Sequence, residues 1–239
     1  MGKNVLIIGA SGDIGVAIAE QLAMEDHQLI LHYHRNKSSI EQLKQRIDQE
    51  NILLEIGADL SSEIEVNKLL DQLIYPVDIV IFASGTAHYG LFQDLSVDEM
   101  NRMLALHVTA PLTITKKLLV PMIQKHAGKI IFITSIWGSV GASHEVIYST
   151  VKGAQNSFVK SLAKEVAPSG IMVNGVSPGF IDTKMNQHLL EDEKQALISD
   201  IPVNRSGTPQ DVAHTVRFLL DDRSSYIQGE IIQVTGGWS

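Results

Sequence analysis

Tyr148 and Lys152 are the residues of this chain whose types and spacing could do chemistry together. On a helix, an i,i+4 pair stacks on one face with Cβ atoms roughly 5–6 Å apart. A phenol ionises near pH ~10 and is a poor acid at neutrality, whereas a fixed cation nearby favours the phenolate. At ~4 Å and an effective dielectric of ~20, the Coulomb attraction is about 4 kcal/mol, or roughly three pKa units, before desolvation erodes it. The spacing therefore predicts that Lys152 brings Tyr148 toward the range where a phenol protonates a developing alkoxide. Ser135, upstream at the end of an apolar run, could present its hydroxyl to the same carbonyl oxygen. Tyr-x-x-x-Lys on its own is common, and on an ordinary surface helix it does nothing.

A second group of residues lies at the start of the chain. Val5 to Ile8 is a short apolar run of the kind found in a strand buried on both faces. It stops at Gly9, and Gly9-Ala-Ser-Gly12-Asp-Ile-Gly15 opens an amphipathic helix reaching Met24. Strand, glycine turn and helix amides together form an anion site suited to a pyrophosphate. The next strand, Leu29–His34, ends where an adenosine ribose would meet it. An acidic residue there would select an unphosphorylated ribose. This chain carries His34 and Arg35, with Lys37 nearby, and cations suit a 2′-phosphate, which points to NADP(H). Asp59, at the end of the third strand, is placed either to accept from an adenine amine or to cap the following helix.

Composition narrows the alternatives. With 239 residues the chain fits one large α/β domain. No uninterrupted apolar run approaches the ~20 residues needed to cross a bilayer. Zero cysteines exclude disulfides and thiolate chemistry, and the start runs straight into a strand without a cleavage-site pattern, so a cytoplasmic protein is expected. A net charge of −8 argues against nucleic acid and anionic membrane as partners. Among nine histidines, His32 and His34 could share a strand face, but no third ligand follows at a usable spacing, so no metal is expected.

The elements that must position these residues alternate between strand and helix. A polar helix is expected over 38–49, a strand over 53–58 and a helix over 62–73. A fourth strand runs over 79–83, followed by the bend Ser84-Gly85. A long helical stretch over 97–123 contains Pro111, which should kink or divide it. A strand over 129–134 delivers Ser135, the Tyr148 helix runs to Val166, and a strand over 172–176 leads into Pro178-Gly179. The segment 184–209 reads as irregular with one polar helix, a cover over the site. A helix over 209–220 and a strand over 231–234 close the chain. The alternation predicts a single-domain α/β fold, a doubly wound parallel sheet of about seven strands with helices on both faces, in the Rossmann manner. His88, Trp137, His144 and Phe180 fall in loops after strand ends, where such a sheet places its ligand.

Taken together, Gly9 to Gly15, Asp59, Gly85, Ser135, Tyr148-x-x-x-Lys152, Asn174 and Pro178-Gly179 resemble, in order and spacing, the short-chain dehydrogenase/reductases over nearly the whole chain. Within that family, SPGFIDTKM and the closing stretch from Arg205 to Ser239 look like the 3-oxoacyl-acyl carrier protein reductases of fatty acid biosynthesis. The resemblance implies hydride transfer from a nicotinamide to a substrate carbonyl, with Tyr148 donating the proton. Ser135 would hold the carbonyl oxygen, and Lys152 would bind the nicotinamide ribose while lowering the Tyr148 pKa. Gly9, Ser11, Gly12, Ile14 and Gly15 would line the pyrophosphate, Asp59 and Leu60 the adenine, and Ile181 and Thr183 the carboxamide. The family also implies a homotetramer.

Four departures qualify this. Asp13 stands where the family has its middle glycine, and a carboxylate beside a pyrophosphate is unfavourable unless it points away. Phe82-Ala83-Ser84-Gly85 replaces Asn-Asn-Ala-Gly. His107 replaces the asparagine of the catalytic tetrad, whose family role is to shape its helix so that a water relays protons to the lysine. Ser169 replaces a basic residue common in carrier-protein reductases, with Lys125 and Lys129 as possible substitutes for docking. The expected function is NADPH-dependent reduction of a carrier-linked or small-molecule 3-oxoacyl ketone. Oxidation of a secondary alcohol or sugar, or a non-catalytic NADP(H)-sensing role, are the alternatives.

Overall fold

A computed structural model describes residues 2–187 and 189–238. The described residues form seven strands, β1 (Asn4–Ile8), β2 (Gln28–Tyr33), β3 (Ile52–Gly57), β4 (Ile79–Phe82), β5 (Gly128–Ile133), β6 (Ile171–Pro178) and β7 (Ile231–Val234). All pair in parallel in the order β3-β2-β1-β4-β5-β6-β7. The order reverses between β1 and β4, and the crevice past the carboxyl ends of strands at such a reversal is where open α/β sheets bind ligands.

The central strands are apolar on both faces because both are covered. Along β1, Val5 and Ile7 face one core with the helices α1 (Asp13–Ala23), α2 (Lys37–Lys44) and a C-terminal helix at 209–220. Leu6 and Ile8 face the other, with α3 (Glu63–Gln72) and the helices over 110–125 and 146–166. All four of these β1 side chains are fully buried, which the period of two in a strand demands when each face has its own core.

The expected long helix is divided into α4 (Val97–Leu104) and α5 (Ala110–Lys125) by a π turn over Ala105–Thr109. By length and hydropathy alone the continuous run over 97–125 could cross a membrane, yet Met103, Ala110, Ile114, Leu118 and Met122 are buried in the core. The polar helix expected over 38–49 is shorter. It ends at Lys44, where the amides of Gln45 and Arg46 turn back three residues, to Gln42 and Leu43, and Asp48 starts a 3-10 turn by accepting from Glu50. Downstream, α6 (Trp137–Val140) is a single turn, too short to leave a periodic pattern in the sequence. Beyond it, α7 (Val146–Val166) carries Tyr148, α8 (Glu191–Asp200) is the polar helix of the 184–209 segment, and α9 (Pro209–Leu220) begins on a Thr208–Asp211 capping box.

Candidate active site

A cavity of about 780 Å³ opens over the carboxyl ends of β1, β4, β5 and β6. At one end the chain leaves β1 through Gly9, with φ +88°, where an added Cβ would lie 2.6 Å from the Ser84 backbone. Only glycine fits that approach between the β1 and β4 loops. Gly12 then caps α1 with no side-chain hydrogen bond, so the first amides of the helix carry no internal partner and face the cavity end. Gly15 does not line the cavity; it lets α1 pack onto the turn, since a Cβ there would lie 2.2 Å from the Gly9 carbonyl oxygen. The uncapped helix start and the close-packed glycines fit a diphosphate group.

Asp13 lines the cavity beside the helix start, and its carboxylate is taken up by Lys184. Its Oδ2 accepts from the Lys184 amide at 2.7 Å, and its Oδ1 lies 3.9 Å from Lys184 Nζ. The carboxylate thus joins α1 to the 184–209 segment.

His32 and His34 do not act as a pair. The His32 ring is buried, its Nδ1 accepting from the Gly9 amide at 3.1 Å and its Nε2 donating to the Ala58 carbonyl at 3.0 Å. These partners fix the tautomer, and burial pulls the pKa down to about 4, partly offset by the Ala58 bond. His32 therefore stitches the ends of β1, β2 and β3 together, a role marked in the sequence only by a polar residue inside an apolar strand. His34 lines the cavity with its Nε2 3.4 Å from Asp59 Oδ2. Asp59 Oδ1 accepts from the Ser61 amide and hydroxyl, so this carboxylate also orders its own turn. Burial pushes the Asp59 carboxyl up, but the Ser61 bonds, His34 and Arg102 leave it below the usual range. Arg35 is exposed and outside the cavity wall, because the chain turns there into α2; Asn36, which caps α2 by accepting from Ser39, lines the wall instead.

The other end of the cavity holds Ser135, Tyr148 and Lys152 together. Ser135 Oγ accepts from the Trp137 amide at 3.2 Å and acts on the Tyr148 phenol, lowering its pKa. Lys152 is buried, its Nζ donating to the Ile133 carbonyl at 2.9 Å and to Gln155 Oε1 at 3.2 Å, and it lies 5.6 Å from the Tyr148 ring centroid.

The expectation that Lys152 acidifies Tyr148 is corrected here. Burial holds the phenol well above its usual range, Glu145 pushes it further up, and only the Ser135 bond opposes them. The ammonium is turned toward Ile133 and Gln155, and its own pKa is forced down to about 7 by burial. In this arrangement desolvation outweighs the pairwise attraction.

His107 does not line the cavity. It sits fully buried behind Gly85, where an added Cβ would lie 2.7 Å from His107 Cε1, and meets the Tyr148 ring edge to face at 5.8 Å. Its Nε2 lies 3.0 Å from the Thr86 carbonyl and 3.3 Å from the Thr86 amide, and burial, then Lys152, lowers its pKa to about 3. The imidazole is neutral. Gly85, Leu60, Ile14, Ser11, Pro178, Gly179, Ile181 and Thr183 all line the cavity, as do Thr86, Arg102 and Asn186, which sequence reasoning missed. Of the loop residues expected near the ligand, Trp137 packs on Trp238 and His144 stacks on Tyr89 at 5.2 Å, with Tyr89 in the cavity wall.

A parallel sheet with an uncapped helix on a glycine turn and a Ser-Tyr-Lys cluster facing one cavity defines a nucleotide-dependent oxidoreductase scaffold. Comparison with known proteins agrees. Residues 9–239 match the family described as enoyl-(acyl carrier protein) reductase. The chain is 44% identical over 240 residues to the uncharacterized oxidoreductase YmfI of Bacillus subtilis, covering 100% of this chain and 99% of that one. It is 36% identical over 242 residues to the 3-oxoacyl-[acyl-carrier-protein] reductase FabG of Aquifex aeolicus, covering 99% and 97%. The solved structure of YwfH, an NADPH-dependent reductase involved in bacilysin biosynthesis, matches with a TM-score of 0.91 over 100% of this chain and 99% of that one; at 23% identity it bears on the fold. This chain belongs to the short-chain dehydrogenase/reductase family, on the side of the 3-oxoacyl-acyl carrier protein reductases.

Proposed function

We propose that the protein is an NADPH-dependent ketoreductase that reduces a 3-oxoacyl thioester or similar ketone to the 3-hydroxy compound. The observation that carries this reading is the convergence of Ser135, Tyr148 and Lys152 on one wall of a cavity whose far end is the uncapped start of α1. Bound reduced nicotinamide supplies a hydride to the carbonyl carbon. Ser135 holds the carbonyl oxygen, and the Tyr148 hydroxyl gives it the proton as charge develops. Burial keeps that phenol protonated across the physiological range, the form needed to donate.

His34 at the ribose end supports a 2′-phosphate and hence NADPH. Carrier docking has less support than a free or coenzyme A-linked substrate. Lys129 is held by Asp222 and the Leu220 carbonyl, and Lys125 by Asp78, so neither offers an unengaged cation to an acidic partner. The segment 184–209 acts as the cover in this reading, and a cytoplasmic homotetramer accords with the family. The deciding experiment follows NADPH oxidation with acetoacetyl-coenzyme A in wild type and Tyr148→Phe. Wild-type turnover lost in the variant with NADPH binding kept is the expected result; equal rates in both would overturn the assignment.

A further inference from the structure

Lys152 is buried against the cavity wall, yet among the described residues no carboxylate bonds its ammonium. Its two hydrogen bonds go to the Ile133 carbonyl and to the side chain of Gln155, one turn further along α7. The same amide continues outward, Gln155 Nε2 donating at 2.7 Å to the backbone carbonyl of His107 in the π turn. Pro111, four residues on, has no amide to give that carbonyl the ordinary α-helical hydrogen bond.

The network also fixes which way the amide points, since the ammonium has only protons to offer and the carbonyl only lone pairs. A glutamine meets both demands at once. A glutamate cannot donate to the carbonyl, a leucine serves neither group, and an asparagine is one methylene short. Gln155 is itself buried, so neither partner finds a replacement in solvent if it is lost.

We propose that Gln155 is a positioning residue for the reaction, which fixes and tunes Lys152 by tying its ammonium to the His107 carbonyl. The inference rests on the reading of Lys152 as the partner of the Tyr148 acid. The other polar and titratable groups around that ammonium are the Tyr148 phenol one turn back on α7, the neutral His107 imidazole from the π turn and Ser135 past β5, with Glu145 acting on Tyr148. None supplies a negative charge to Lys152 directly, so the Gln155 oxygen is the one side-chain acceptor bonded to it among the described residues.

The test titrates Lys152 directly, by NMR of carbon-labelled lysine side chains in the cofactor-free protein, with Lys152→Met identifying the signal. Loss of the acceptor in Gln155→Leu should lower the Lys152 midpoint, and the carboxylate of Gln155→Glu should raise it, each by about one pH unit or tenfold in proton affinity. The pH profile of kcat/KM should move the same two ways. Opposite displacements support the proposal. Midpoints that stay put, or move together, overturn it and leave Gln155 as packing. If the leucine variant does not fold, the near-isosteric Gln155→Glu decides alone: an unmoved Lys152 midpoint sinks the idea. Because the titration uses no substrate, a wild-type protein inert toward every ketone would fail the proposed function and not this assignment.

Discussion

Asp13 and Lys184 lie 171 positions apart in the chain, yet the Asp13 carboxylate accepts the Lys184 amide at 2.7 Å and lies 3.9 Å from its ammonium. The segment that borders the cavity is thereby fastened to the first turn of α1. A hydrogen bond to a charged acceptor contributes about 1.5–3 kcal/mol, whereas the exposed ion pair adds little. Asp13→Ala is expected to speed hydrogen exchange at the Lys184 amide by roughly tenfold or more. Asp13→Asn, which keeps an acceptor oxygen, should stay near wild type. Equal exchange in all three proteins would show that the contact holds nothing.

Lys152→Met should lower turnover by roughly 10²–10⁴-fold, the range for loss of a proton-transfer partner. It should also change stability against pH. The Lys152 pKa of about 7 in the folded protein lies below its unfolded value of 10.5. The unfolded chain thus binds more protons between those limits, and wild-type stability rises with pH across that window. Denaturant titrations at pH 7 and pH 9 should show the rise in wild type and a smaller one in the variant.

Acid should destabilise the protein well above the carboxylate range. His32 and His107 have folded pKa values of about 4 and about 3 against 6.5 unfolded. Each is neutral in the fold, so stability present above pH 6.5 is lost as pH falls, at about 1.4 kcal/mol per pH unit per group. At pH 5 the two together cost about 4 kcal/mol. His107→Asn should remove close to half of that slope in urea melts between pH 6.5 and 5, and an unchanged slope would refute the assignment.

Gly85 and His107 should behave as one unit. Gly85→Ala drives a methyl into the imidazole and is expected to cost about 1–3 kcal/mol. In Gly85→Ala with His107→Asn the ring is gone, and a double-mutant cycle should return a coupling of about 1 kcal/mol. Strict additivity would mean the ring moves aside freely.

His34 should govern cofactor choice. His34→Ala is expected to reduce the preference for NADPH over NADH by about tenfold, the loss of one phosphate contact. The ratio of kcat/KM values for the two nucleotides gives the answer, and an unaltered ratio would remove His34 from the 2′-phosphate site.

The fold was legible because its strands are short, mostly apolar runs separated by helical patterns, and α9 and β7 fall where their patterns place them. The Ser135, Tyr148 and Lys152 convergence was legible because helix periodicity stacks the last two and β5 delivers the first. Their electrostatics were not. Spacing reports that a cation is near a phenol, but not that both are buried, and desolvation reversed the sign of the shift. Gln155 and His32 stayed hidden for a related reason. Each is a polar residue in an apolar pattern, and the distant partners that explain it, 48 positions away for Gln155 and 23 and 26 for His32, meet it only in the folded chain.

The uncapped start of α1 is anchored in the hydrophobic layer on one side of the sheet, and α7, the helix that carries Tyr148, in the layer on the other. A single ply of parallel strands therefore acts as a fixed caliper between the two ends of whatever lies in the cleft. Its span is set by backbone hydrogen bonding, so surface loops are free to vary the ligand's outer groups without altering the reach from anchor to reacting atom.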